Sequence, residues 1–196
     1  VIATLAVGGK PAGVSVSPDG RRAYVTSPEG KYLSVLDADP PAVHKRIPLA
    51  GGPLGVAVAP DGRRVYVADW YEHRVFVVDA DAGTIVGEWP TGHSPSGLAV
   101  SPDGTQLVSA DRDSNQLTVF SIADGRVLQT VATGERPFGV SFSPDGRYLA
   151  SANVASNSVT LIDARTRQVL AEIPVGERPY AIAFAQERMF VTNQYG

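Results

Sequence analysis

Residues 51–91 read GGPLGVAVAPDGRRVYVADWYEHRVFVVDADAGTIVGEWPT, and this stretch decides the fold. Apolar residues alternate over Gly55–Ala59, Arg64–Ala68 and Arg74–Asp79, and a further extended run leads from Ile85 to Thr91. A period of two places one parity of side chains on each face of a pleated strand, and no helical period competes with it. Between the first two runs stands Pro60-Asp61-Gly62. Proline presets its own φ, aspartate bonds nearby backbone, and glycine accepts a left-handed conformation, so the tripeptide makes a tight turn. Four short strands joined by such turns describe an antiparallel meander.

The same pattern recurs along the chain. Pro-Asp-Gly begins at Pro18, Pro60, Pro102 and Pro144, each step being 42 residues. The proline of a Gly-x-x-Pro turn follows the same period at Pro11, Pro53, Pro95, Pro137 and Pro179, although Ala50 replaces the glycine of the second turn. Two residues on stand Gly13, Gly55, Gly97, Gly139 and Ala181. A four-stranded meander at this period is the signature of a β-propeller blade, which buries its faces only against neighbouring blades. The fold class is therefore all-β, a propeller of four-stranded antiparallel blades. The small residue at 13, 55, 97 and 139 marks the innermost strand, where chains crowd near an axis.

The units run over about 8–49, 50–91, 92–133 and 134–175, with partial ones at 1–7 and 176–196, in a single domain spanning 1–196. The flanking pieces supply an outermost strand (Ile2 to Val7) and a second strand (Phe190 to Asn193). These 196 residues hold fewer than five periods of 42. The expectation is a fragment: four complete blades in an open arc of a seven-bladed or similar ring, with apolar blade faces exposed at both ends.

Composition narrows the function classes. Seventeen Lys and Arg stand against twenty Asp and Glu, a formal charge of −3, which argues against general coating of nucleic acid. No apolar run approaches the length of a membrane-spanning helix. The absence of cysteine excludes disulfides, thiolate nucleophiles and Cys-ligated metal within the chain. No signal peptide is visible, and the common phosphate-binding, dinucleotide, zinc-protease and serine-hydrolase motifs are missing.

Tyr66-Val-Ala-Asp69 and Phe190-Val-Thr-Asn193, with Gly-x-x-Pro-x-Gly-Val, Ser-Pro-Asp-Gly-Arg and the Val75–Asp79 and Val159–Asp163 strands, resemble the YVTN-repeat β-propellers. Related propellers include the quinoprotein amine dehydrogenase β-chain group and the haem-binding propeller of nitrite reductases. The resemblance implies a periplasmic or extracellular protein. It leaves open an enzyme, lactonase-like or accessory to quinoprotein or haem redox chemistry. A non-enzymatic platform binding a protein or small ligand at the loop-rich mouth is the preferred reading, with no cofactor evident and no nucleic-acid partner expected. The Asn-His-Leu-type repeat is also close, through Tyr66 to Val75. Departures are Ser121 in place of the third-strand aspartate, and a shortened Ala185–Met189 turn in the last unit.

Candidate site residues follow from the loops on the Gly-x-x-Pro side. Asp69, Asp111, Asn153 and Asn193 occupy one repeat position, and oxygen ligands so placed suit a hard cation. The same residues also suit turn closure, and their recurrence favours that use. The loop Asp69-Trp70-Tyr71-Glu72-His73-Arg74 breaks the repeat, offering an aromatic binding surface. With His93 and Asp111 it offers weak candidates for a metal or acid–base cluster: Asp69, His73, His93 and Asp111. Lys10, Arg136 and Arg178 share the position before the turn proline and suit an anionic ligand, unless neighbouring acids such as Glu135 and Glu177 neutralise them. His44, beside Lys45 and Arg46, reads as simply exposed.

Overall fold

The computed structural model describes residues 1, 3–186 and 188–195. It divides into two compact units, Val1–Pro90 and Thr91–Gly196, and the division falls at a repeat boundary. In the first unit, β1 (Val14–Val16), β2 (Arg22–Ser27), β3 (Tyr32–Ala38) and β4 (Pro41–Pro48) form one four-stranded sheet. A second sheet comprises β5 (Pro53–Val58), β6 (Arg64–Asp69), β7 (Arg74–Asp79) and β8 (Thr84–Pro90). The second unit holds β9 (Pro95–Val100), β10 (Gln106–Asp111), β11 (Gln116–Ser121) and β12 (Val127–Ala132), with a 3-10 turn at Arg112–Ser114. Next come β13 (Pro137–Phe142), β14 (Tyr148–Asn153), β15 (Ser158–Asp163) and β16 (Val169–Pro174), then the hairpin β17 (Glu177–Ala185) and β18 (Arg188–Tyr195). Strands follow chain order in every sheet, and all pairings are antiparallel. No helix among the described residues is long and apolar enough to cross a membrane.

The register repeats with the sequence. Ser27 pairs with Tyr32, Asp69 with Arg74, Asp111 with Gln116, and Asn153 with Ser158. β5, β9 and β13 start at the turn proline, two residues before the expected Gly55 in the case of β5, whereas β1 starts at Val14 and β17 at Glu177. Pro53 sits opposite Asp69, and an irregularity before Val56 restores the register. A proline is tolerated there because the first residue of a strand need not donate to the ladder. The expected outer strand at Ile2 to Val7 is not formed over residues 3–7, and Ile2 lies outside the described residues. Such a strand needs the free edge of a third strand, and β3, β7, β11 and β15 are each already paired with their own outer strand. Side chains hold this segment instead: the Tyr32 hydroxyl donates to Val7 O at 2.7 Å and the Ser27 hydroxyl to Gly8 O at 3.1 Å. Of the shortened turn at Ala185–Met189, Glu187 lies outside the described residues.

Blades pack face to face within each unit. Tyr24, Leu33, Val35 and Ile47 of the first blade meet Val65, Val67, Phe76 and Val78 of the second. In the second unit Val108, Leu117, Val119 and Val131 meet Leu149 and Ile162, while Ala150, Ala152 and Val159 meet Ile182. Burial of each large aliphatic or aromatic side chain contributes about 1.5–3 kcal/mol, so these faces are the stabilising element of the repeat. The inner glycines are needed for close approach. A methyl group on Gly13 would overlap Leu54 O, on Gly97 it would overlap Phe138 O, and on Gly139 it would overlap Tyr180 O.

Candidate functional site

The recurring position is buried at Asp69, Asp111 and Asn153, whereas Asn193 is exposed. Asp69 accepts hydrogen bonds from Gly52 N–H at 2.8 Å and Tyr71 N–H at 3.3 Å, and pairs with Arg74 Nε at 3.1 Å. Arg74 also reaches Glu88 at 2.9 Å. Asp111 accepts from Gly92 N–H at 3.0 Å, the Ser109 hydroxyl at 2.8 Å, Gln116 Nε2 at 3.3 Å and the Thr118 hydroxyl. Burial pushes its carboxyl pKa up, against the opposing pull of those bonds. Asn153 donates to Ser158 and Thr160 at 3.1 and 2.9 Å. Asp69 and Asp111 thus fasten the turn and the third strand of their own blade, while Asn153 holds the third strand and Thr160 accepts the Gly134 N–H.

Asp69, Trp70, Tyr71 and His73 lie in the first unit, His93 and Asp111 in the second. Among the described residues, no group of three or more His, Asp or Glu stands close enough to hold a metal ion. Tyr71 is 67% exposed and its ring lies over Gly52, whereas Trp70 is half-buried and donates its N–H to Gly52 O at 3.0 Å. His73 takes the left-handed conformation at φ 53°. His93 gives its N–H to the Ser114 hydroxyl at 2.8 Å. His44 is not merely exposed: its Nδ1 stands 3.1 Å from Asp37.

Arginines gather at the loop end of the second unit. Arg112, Arg136 and Arg178 line a pocket of about 280 Å3 together with Asn157 and Glu177. Backbone geometry sets their placement. Arg136 and Arg178 stand directly before proline with φ 55° and 52°. A left-handed conformation costs a residue with a Cβ about 1–2 kcal/mol, so it persists only where surroundings hold it. Here the holding groups are the Asn115 and Asn157 side-chain oxygens, each accepting the arginine N–H at 2.9 Å from the preceding blade. The carbonyls of Glu135 and Arg136 also accept the N–H groups of Ala155 and Val154.

Among the described residues, no hydrogen bond or ion pair ends on the guanidinium of Arg136 or Arg178; Glu177 lines the same pocket without pairing with either. Arg112 pairs with Asp113 at 2.5 Å. The Ser94 hydroxyl, then Arg112 and Arg136, hold that carboxylate below the usual range. Lys10, in the first unit, pairs with Glu29 at 2.5 Å. Sequence reasoning thus marked Arg136 and Arg178 but missed Arg112, Asn115 and Asn157. The available signal for Arg112 was its repeat position, shared with Trp70 and Val154.

A model of the seven-bladed β-propeller lactonases matches residues 73–173, just over half of the chain, and an NHL-repeat model matches residues 51–78. No curated protein sequence matches. Among solved structures, hydrazine synthase of Kuenenia stuttgartiensis superposes with a TM-score of 0.86 at 25% identity, over 93% of this chain and 54% of that one. A functionally unknown protein of Desulfotomaculum acetoxidans gives 0.86 at 20% identity, over 96% and 64%. Virginiamycin B lyase of Staphylococcus aureus gives 0.82 at 18%, over 95% and 64%. The chain thus spans between about half and two thirds of the length of these solved chains. The last two likenesses speak to the fold alone. With its repeat, its blade sheets and the family match over residues 73–173, the chain belongs to the lactonase family of seven-bladed β-propellers.

Proposed function

We propose that the chain is a rigid extracytoplasmic binding platform of YVTN-repeat type whose second-unit loop end captures a small carboxylate-bearing ligand. One observation carries the reading: the guanidinium groups of Arg136 and Arg178, to which no hydrogen bond or ion pair is formed among the described residues, line one pocket with Arg112. Arginine presents paired N–H donors that match a carboxylate, and such charge-assisted bonds are about twice as strong as neutral ones. The compartment rests on the family resemblance, and the reading requires no cofactor.

The repeat itself supplies the test. Gly52 fills the Arg136 position in the second blade, so Arg136→Gly and Arg178→Gly remove the charge from a conformation glycine prefers. Titration calorimetry with gluconate is expected to show binding that each variant weakens by about tenfold, or about 1.4 kcal/mol, without loss of thermal stability. Unchanged binding in the double variant contradicts the proposal.

A second reading is lactone hydrolysis, favoured by Glu177 in the same pocket and by the family match. A carboxylate beside arginines can draw a proton from attacking water while the arginines hold the carboxylate product. Accelerated opening of glucono-δ-lactone that Glu177→Gln abolishes would establish it. Gluconate binding without turnover would leave the platform reading alone.

A further inference from the structure

At the opposite strand ends of the first unit, a cleft of about 490 Å3 opens between the Pro-Asp-Gly turns of its two blades. Arg21, Arg22 and Arg63 line it, with the Tyr24 side chain, itself 1% exposed. Its acids are of two kinds. Asp19 accepts the Ser17 hydroxyl at 2.6 Å and Arg21 N–H at 3.0 Å, and Asp61 accepts Arg63 N–H at 2.9 Å, so both close their own turns. Asp81 pairs with Arg22 at 3.3 Å. Among the described residues, no hydrogen bond or ion pair ends on the guanidinium of Arg21 or Arg63.

The second unit provides an internal control. Its corresponding cleft, of about 420 Å3, repeats the turn acids as Asp103 and Asp145. Asp103 again accepts its turn's serine hydroxyl and the N–H two residues on. The acids are therefore architecture. Arg21, Arg63 and Arg147 share one place in the turn, but the clefts differ around it: Thr105, Gln106 and Val108 stand where the first unit has Arg21, Arg22 and Tyr24, and Arg165 takes the place of Asp81. Arg147, the counterpart of Arg63, is laid over the Tyr148 ring at 5.0 Å. The first cleft therefore gathers Arg21, Arg22, Arg63 and Tyr24, whereas the second is lined by Arg165, Gln106 and Phe142.

We propose that the first-unit cleft is a second binding site, independent of the loop-end pocket, for a phosphate monoester with a hydroxyl-bearing body. The phosphoryl oxygens take the Arg21 and Arg63 forks and the Tyr24 hydroxyl, which itself contacts Arg22. Hydroxyls of the ligand donate to the free lone pairs of Asp19 and Asp61. The volume falls in the range of small-molecule sites.

The experiment titrates the intact protein with glycerol 3-phosphate, inorganic phosphate and glycerol, reading calorimetry and the arginine Nε NMR signals. Glycerol 3-phosphate is expected to bind more tightly than phosphate, glycerol not at all, with Arg21, Arg22 and Arg63 shifting. Arg21→Thr with Arg63→Thr, which installs the residue of position 105, is expected to weaken binding by more than about tenfold. Tyr24→Phe is expected to weaken it less. The Arg136→Gly, Arg178→Gly variant leaves it unchanged, which separates this site from the loop-end pocket. Absence of saturable binding, equal affinity for inorganic phosphate, or binding that survives the double threonine variant would overturn the proposal.

Discussion

Asp69 and Asp111 occupy one position of the repeat and live in opposite electrostatic settings. Asp69 faces a guanidinium, whereas Asp111 meets only hydroxyls, an amide and a backbone N–H. Taking a carboxylate out of water without a counter-charge favours its protonated form, which is why the Asp111 pKa rises. The sign of the pH effect follows. Above the ordinary value of 3.8 and up to the raised native one, the folded protein holds more protons than the unfolded chain, so stability falls as pH rises through that window. Asp111→Asn, which copies Asn153, is expected to remove that slope and to be at least as stable as the parent near neutrality. Asp69→Asn leaves Arg74 without its buried charge partner and is expected to lose about 1–3 kcal/mol. Urea unfolding of both variants from about pH 4 to about pH 7 checks the pair, and equal losses would contradict it.

Among the elements, the innermost strands make the tightest approach. Gly97 lies against the Phe138 carbonyl, so Gly97→Ala must push two blades apart and is expected to cost about 1–3 kcal/mol in thermal or urea unfolding. Gly20, in a Pro-Asp-Gly turn, has nothing near its Cβ position but a φ of 71°, so alanine there carries conformational strain alone. This level was largely legible in the sequence. The period fixed the blades, Pro-Asp-Gly fixed the turns, and the small inner residue announced close approach. The unformed outer strand at residues 3–7 was not legible, because an alternating pattern says nothing about whether a partner edge exists.

For the whole molecule, the last hairpin sets a further expectation. Phe190 is 56% exposed, while its repeat equivalents Tyr24 and Tyr66 are 1% exposed. Val14 on β1 is 68% exposed. Apolar blade faces of this kind associate, so Phe190→Ser is expected to reduce self-association in light scattering without loss of stability. The candidate site was only partly legible at this scale. Arg136 and Arg178 stood out by repeat position, and the recurrence of Asp69 and Asp111 favoured turn closure, which their burial and hydrogen bonds to Gly52 and Gly92 agree with. Arg112 reaches the pocket from a 3-10 turn that no periodicity marks. The central claim is that three arginines of the second unit form one anion site. The most direct measurement is an NMR titration with gluconate that follows the arginine Nε signals. The account expects saturable shifts confined to Arg112, Arg136 and Arg178, lost together in the Arg136→Gly, Arg178→Gly variant. Shifts spread over the surface arginines, or none at these three, would contradict it.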